Sequence, residues 1–191
     1  SLTPDSVFNQ SNNKVWWQCC IFPEHIWRTQ IIVRTKQGSG CPKCFKQSSI
    51  QEIRILSEFQ AIFKKVISRK KLFKKEIDIF LPEIYVGIEY DGSYFHKNKF
   101  SKDKEKNTIF EKNNIHLIRV REKPLKKINS NDVLVSDSRL IKNDIDQILI
   151  NLQKTVEIKS KSLNLSIKDY LQENDFINEK VYKKFLNYFP S

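Results

Sequence analysis

Residues 76–96 read EIDIFLPEIYVGIEYDGSYFH, and the two apolar runs in this stretch carry acids that a core strand should not need. In EIDIFL, 76–81, Ile77, Ile79 and Leu81 alternate with Glu76, Asp78 and Phe80. A period of two is that of a strand with one buried face. Pro82 and Glu83 turn the chain, and IYVGIEYD, 84–91, reads as the second strand of a hairpin. Alternate residues of a strand share a face, so Glu76 goes with Asp78 and Glu89 with Asp91. The hairpin can bring the two pairs together. Four acids so placed repel one another and resist burial. A divalent cation removes the conflict, because magnesium takes one or two carboxylates along with water and phosphate oxygens. His96 follows a bend that Gly92 permits, where it could take a proton from a water. A metal with an adjacent base is the chemistry of phosphodiester hydrolysis. A solvated sheet face would explain EIDIF alone. It explains less well the IEYDGSYFH that follows, with Asp103 and Lys106 on the next helix.

Outward from this hairpin, residues 49–69 read as an amphipathic helix. Ile55, Phe59, Ile62 and Val66 recur at helical spacing, and Ser49 with Glu52 forms a capping-box pattern. Residues 102–114 read as a helix that ends at Asn113-Asn114, and IHLIRVRE, 115–122, as a third strand. A polar loop follows Pro124. Residues 137–154 are then expected to be helical, with an apolar stripe through Leu140, Ile141, Ile145, Ile148, Leu149 and Leu152. The tail, 155–191, is Lys-rich, with one or two short helices. The expected fold is a mixed α/β core over 49–154, with a small cysteine-bearing module at 1–47 ahead of it and a basic helical tail or linker behind it. There is no internal repeat.

The chain has 191 residues, and 34 Lys and Arg against 22 Asp and Glu give it a net charge of +12. Its sequence pI near 9.5 makes a polyanion the first partner to consider, although an AT-rich coding sequence would also inflate Lys, Ile and Asn. The 39% hydrophobic content supports a real core and argues against a disordered chain. No run is long and apolar enough to span a membrane. The polar opening residues predict no secretory leader, so an intracellular place, cytoplasmic or nucleoid-associated, is expected.

All four cysteines lie within residues 19–44. That clustering without a secretory signal points to metal rather than disulfides. Cys41 and Cys44 form a CxxC behind a GSG turn. A closed structural zinc site needs four ligands, and His25 with one of Cys19 or Cys20 completes the set. Adjacent strand residues point to opposite faces. Cys19 is the preferred ligand and Cys20 the alternative. Such a site activates no water, and a module this small needs the metal to fold.

The run from LTPDSV through VWWQC, HIW and VRTKQGSGCPKC resembles the probable zinc-ribbon domain of treble-clef type, often found as tandem repeats. The CCIFPEH spacing is longer than that family's usual form. The resemblance implies nucleic-acid binding, with Arg28, Arg34, Lys36, Lys43 and Lys46 on phosphates. Trp16, Trp17 and Trp27 are expected in the module's core rather than stacked on bases. FINEKVYKKFLNYFPS resembles a linker into a further repeat, so the chain reads as part of a longer protein.

Residues 52–122 resemble the very-short-patch-repair-type endonucleases, a branch of the PD-(D/E)XK superfamily that includes some homing endonucleases. The matching residues are Glu52, EIDIFLPE, IEYDGSYFH, DKEKN and IHLIRVRE. The resemblance implies a restriction-endonuclease-like core with Asp78 as the central metal ligand and the Tyr90 carbonyl as another. It makes His96 the general base or a water-positioning residue, and has Glu52 orient a metal-bound water or the base. Asp103 would pair with a histidine or a metal water. Asp91 stands where the repair enzymes have a histidine, and the superfamily's usual lysine is missing, so Glu89 and Asp91 could bind metal differently. Lys104, Lys106, Arg119 and Arg121 are near enough to contact a scissile backbone. The expectation is a magnesium- or manganese-dependent DNA endonuclease or nickase with a structural zinc module. The alternatives are an inactive nucleic-acid-binding module, or a nuclease for RNA or branched DNA.

Overall fold

The structure is a computed structural model that describes residues 6–19, 23–36, 39, 41–42, 48–136 and 139–186. The chain falls into two compact units, one of residues 1–48 with 183–191 and one of residues 49–182.

The first unit is built on an antiparallel hairpin of β1 (Lys14–Gln18) and β2 (Ile26–Gln30), followed by a short helix, α1 (Ile31–Thr35). Val15, Trp17, Trp27 and Thr29 are half-buried, whereas Lys14, Trp16, Gln18, Ile26 and Arg28 are exposed. Trp17 and Trp27 share one cation: the Arg34 guanidinium lies 5.3 Å and 5.5 Å from their ring centres. Trp16 departs from the expected core position. It lies one residue out of phase with Trp17, so the strand period turns it to the other face.

The second unit is a mixed five-stranded sheet with helices. Its elements are α2 (Ile50–Ile62), β3 (Ile67–Leu72), β4 (Lys75–Leu81), β5 (Val86–Asp91), α3 (Ser93–His96), α4 (Phe100–Glu111), β6 (His116–Glu122), β7 (Val133–Val135), α5 (Lys142–Thr155) and α6 (Lys161–Gln172). A last helix, α7, spans Glu179–Leu186. The strand order is β3-β4-β5-β6-β7. The first three strands run antiparallel, whereas β5–β6 and β6–β7 are parallel. β5 is buried along its whole length, as a central strand covered on both faces should be. Ile77, Phe80, Phe110, Ile115 and Leu117 form a core cluster, and α5 packs Ile145, Ile148, Leu149 and Leu152 inward.

Two strands differ from the sequence reading. The helix expected to reach residue 69 stops at Ile62, where Phe63 turns extended and β3 begins shortly after. Among the described residues β3 pairs only with β4, and it carries Arg69, Lys70 and Lys71, the charged composition of a protected edge strand. β7 lies in the segment read as loop. The helix expected from 137 begins at Lys142.

The second unit also reaches beyond residue 154. The buried Glu58 carboxylate on α2 accepts from the Tyr170 hydroxyl at 3.1 Å and the Ile177 amide at 3.0 Å. Arg54 pairs with Glu179 at 2.7 Å and lies over the rings of Phe176 and Tyr182. These bonds fasten the chain after α6 to the helix that opens the unit.

The β3–β4 turn yields a stability test. Leu72 pairs with Lys75, so the loop is the two residues Phe73 and Lys74, with φ of 51° and 60°. Type I′ turns favour Asn and Gly at these positions. Lys74→Gly should relieve the strain and stabilise the unit by about 0.5–1 kcal/mol net of the chain entropy glycine adds. Urea unfolding measures it, and a lower midpoint would contradict the turn assignment.

Candidate metal and acid–base sites

The first candidate site forms where the small hairpin closes. The register ends at Gln18↔Ile26, and one step further the Cys19 amide donates to the His25 carbonyl at 2.9 Å. That bond sets Cys19 beside His25. The Cys41 sulfur lies 3.7 Å from His25 Nδ1, and the ligand atoms of Cys19, His25 and Cys41 all lie within 4.8 Å of one another. Both cysteines are buried. Two thiols and an imidazole converging in a small module fit a structural zinc ion. Cys44, the alternative ligand Cys20, and the basic Lys43 and Lys46 lie outside the described residues. Arg28 and Lys36 are exposed. Arg34, read as a phosphate contact, stacks on two tryptophans and donates to the Ser39 carbonyl.

Zinc removal is therefore expected to unfold this unit. All three tryptophans lie within residues 1–47, so their emission reports on it. Chelation or Cys41→Ser should shift the emission to the red and release zinc measurable by a colorimetric chelator. An unshifted spectrum after the zinc has gone would refute a structural role.

The second site lies at the end of the β4–β5 ladder. The register runs Leu81↔Val86, Phe80↔Gly87, Ile79↔Ile88. One step on, side chains continue the pairing. The Tyr90 amide donates to Asp78 Oδ2 at 3.0 Å, and the Asp78 amide donates to Glu89 Oε1 at 3.3 Å. Two carboxylates are thus held together where the strands part. Burial, and then the Glu52 charge, push Asp78 up to about 7. Burial, and then Asp78 itself, push Glu89 up to about 8. Lys106 on α4 donates to Glu89 Oε2 and offsets part of the repulsion. Glu76, the fourth acid of the hairpin reading, instead pairs with Arg69 on the edge strand at 2.7 Å.

Glu52 serves two ends. Ser49 Oγ accepts from its amide at 3.1 Å and donates to its carboxylate at 3.0 Å, which caps α2. The same carboxylate is close enough to raise Asp78.

β5 and β6 run parallel with Asp91 opposite Arg121 and Glu89 opposite Arg119. Arg119 Nη1 donates to both Asp91 oxygens, at 2.8 Å and 3.0 Å, and Arg121 Nη1 donates to Asp91 Oδ2 at 2.6 Å. Arg119 also reaches Asn107 Oδ1 through Nε at 2.8 Å and the Asp103 carbonyl through Nη2 at 3.2 Å. Both guanidiniums are buried. Arg121 is therefore inaccessible to nucleic acid, contrary to the sequence reading. It sits inward because it shares a strand face with Arg119 over an acid. Asp91 is taken up by these two arginines.

His96 closes the network. Its Nδ1 lies 3.0 Å from Asp103 Oδ2 and 3.3 Å from Asp91 Oδ1. Asp103 does not cap α4, whose N-cap is Lys99. Burial works to raise Asp103, but the His96 hydrogen bond and the arginine charges outweigh it and hold the acid below its ordinary value. With Nδ1 engaged by carboxylates, Nε2 is the nitrogen that can exchange a proton. Asp91, His96 and Asp103 have converging ligand atoms, yet the two arginines already neutralise this group. The hairpin pair Asp78 and Glu89 is the one short of positive charge.

The structure therefore places Asp78, Tyr90, Glu89 and Lys106 together, with Glu52 close by. His96, Asp91 and Asp103 join them through Arg119, which lies 3.9 Å from Glu89. Asn107 was missed by sequence reasoning. So were the exposed aromatics next to His96: Tyr94 is 86% and Phe95 72% exposed, with rings edge to face at 5.2 Å. The signal for the aromatic pair was the run SYFH itself, two large rings in a segment too short to bury them.

Residues 1–47 match a family model described as a Probable Treble clef zinc finger domain. The chain is also similar, at 32% identity over 112 residues, to Reticulocyte-binding protein homolog 1 of Plasmodium falciparum (isolate 3D7). That match takes in 56% of this chain and 4% of that protein. No solved structure matches the chain. Among the described residues no helix is long and apolar enough to cross a membrane.

Proposed function

We propose that the α/β unit is a divalent-metal-dependent endonuclease acting on DNA, and that the zinc-finger segment helps to hold it there. The observation that carries this reading is the Asp78–Glu89 pair, two adjacent carboxylates raised to about 7 and about 8 where the hairpin ladder opens. A pair so repelled costs stability unless a cation joins it, and hard oxygen donors suit magnesium or manganese. Such an ion, when bound, supplies the charge that stabilises the phosphoryl transition state. The chain's own residues would do the rest. Lys106 sets an ammonium beside Glu89, in the role of the superfamily lysine absent from the strand. His96, oriented by Asp103, accepts the proton of the attacking water at Nε2. Glu52 adds negative charge that strengthens cation binding. Tyr94 and Phe95 offer apolar faces to bases flanking the cut. The excess of Lys and Arg favours a polyanion without reading its sequence.

Plasmid cleavage is the test. Supercoiled DNA should be nicked or linearised with magnesium or manganese, and not with EDTA. His96→Ala should lower the rate by on the order of 10²–10⁴-fold while binding in a gel shift persists. Binding without cleavage in the unaltered chain would instead identify a nucleic-acid-binding module.

A further inference from the structure

The outward face of the β1–β2 hairpin remains without a role. It consists of Lys14, Trp16 and Gln18 on one strand and Ile26, Arg28 and Gln30 on the other, with Trp16 directly opposite Arg28. Trp16 is 71% exposed. The face carries two cations and no carboxylate. Residues 1–48 hold six Lys and Arg against two acids, so the net charge of the segment has the same sign as the face.

A tryptophan on a strand has a rigid ring and little rotamer freedom to lose, and its exposure leaves a large apolar surface in water. Lys14 lies two residue steps from Trp16 along its strand, about 6.6 Å, and Arg28 lies directly across from it, about 4.5–5.5 Å between strands, which suits the spacing between a base and its flanking phosphates. A duplex hides its base faces by stacking them on one another. A single strand presents them.

We infer that this face is a binding surface for single-stranded DNA, on which Trp16 stacks against an unpaired base while Arg28 and Lys14 contact the adjoining phosphates. The choice of DNA rests on the proposed function above, but the surface does not depend on the nuclease chemistry. It would let the module grip displaced or unpaired strands and so bias where the chain acts.

Binding by the zinc-loaded full chain, without added magnesium, tests this apart from cleavage. A dT oligomer should quench tryptophan emission in a saturable way and bind tighter than a duplex of equal length. Trp16→Ala should remove most of the quench and weaken the dT affinity by about 5- to 100-fold, while duplex affinity and zinc content stay within about twofold. Trp16→Phe should restore part of the affinity, since a smaller ring still stacks. Arg28→Ala should reduce the salt slope of dT binding by about 0.7. Unchanged dT binding in Trp16→Ala would overturn the inference, as would equal affinity for duplex. An rU oligomer that binds tighter than dT would move the surface to RNA and overturn the commitment to DNA. Loss of a self-associated form in Trp16→Ala, with DNA binding intact, would show a contact between copies instead. Failure of plasmid cleavage leaves each of these outcomes readable.

Discussion

Asp78→Asn should raise the thermal stability of the metal-free chain at pH 8 and abolish metal-dependent cleavage in the same protein. Asp78 stands at about 7 in the fold against an ordinary 3.8, and Glu89 at about 8 against 4.5. A group whose pKa is higher in the folded state binds its proton more tightly there. Its stabilising contribution is full below the unfolded value and is lost as pH rises through the folded one. The metal-free protein should therefore weaken between about pH 4 and pH 8, from the ordinary values of the two acids up to their folded ones. Asparagine at 78 keeps an oxygen to accept from the Tyr90 amide and removes one charge of the pair. It should recover on the order of 1–3 kcal/mol at pH 8, a rise of roughly 3–8 °C in Tm. It should also flatten the pH dependence. Magnesium should stabilise the unaltered chain and leave the variant unmoved. A cation contributes several kcal/mol to such a transition state, so cleavage should fall by on the order of 10²-fold or more. A variant less stable than its parent at pH 8 would make Asp78 an ordinary structural acid. Magnesium stabilisation that survives the substitution would place the ion elsewhere. The acid side runs the other way. Asp103 is held below its ordinary value by His96 and the arginines, so its contribution is present above the unfolded value and fades as pH falls through the folded one.

Much of this site is legible in residues 76–103, because the elements that build it are adjacent in the chain. A hairpin is local, so a period of two and a turn suffice to bring Asp78 to Glu89. The His96–Asp103 pair is seven residues apart and crosses only one bend. The zinc ligands are legible for another reason: thiols and imidazoles clustered in a short module have few other uses. What sequence patterning misses is set by distant partners. The first half of β3, through Arg69, reads as the end of a helix because Val66 continues the helical spacing of Ile55, Phe59 and Ile62, and only pairing with β4 makes it a strand. β7 is three residues long and is stabilised by β6. Arg119 and Arg121 read as accessible contacts for a scissile backbone because charged residues rarely lie fully buried. Their partner Asp91 lies 28 and 30 residues earlier, beyond any window of periodicity. Yet two arginines two apart among the apolar Leu117, Ile118 and Val120 of the strand share one face. Trp16 leaves the core expected of all three tryptophans because a strand must send the two members of a Trp-Trp pair to opposite sides.

Arg119→Leu is expected to be among the most damaging single substitutions in the second unit, and its consequence separates Asp91 from Asp78. The Arg119 guanidinium bonds Asp91, Asn107 and the Asp103 carbonyl at once. Leucine would fill part of the space and leave these acceptors buried with fewer donors. Breaking one side of a buried ion pair costs about 3–5 kcal/mol, and the Asn107 and carbonyl bonds lie within that loss. Arg119→Lys should recover little of it, because one ammonium cannot span a fork whose arms point three ways. Asp91→Asn should also destabilise, by roughly 2–4 kcal/mol, since it leaves Arg119 and Arg121 side by side with half their compensation. It is thus predicted to shift stability in the direction opposite to Asp78→Asn, though both remove one negative charge from neighbouring strands. Urea unfolding of the metal-free proteins at pH 8 compares the three variants directly. If Asp91 were held in reserve for a cation, its neutralisation would stabilise the metal-free chain as that of Asp78 does. A stabilising Asp91→Asn would therefore return it to the metal-binding set. The expected opposite signs would mean that the strand carries two acids for two purposes: Asp91 to anchor the arginines and, through them, His96 and Asp103, and Glu89 to share a cation with Asp78.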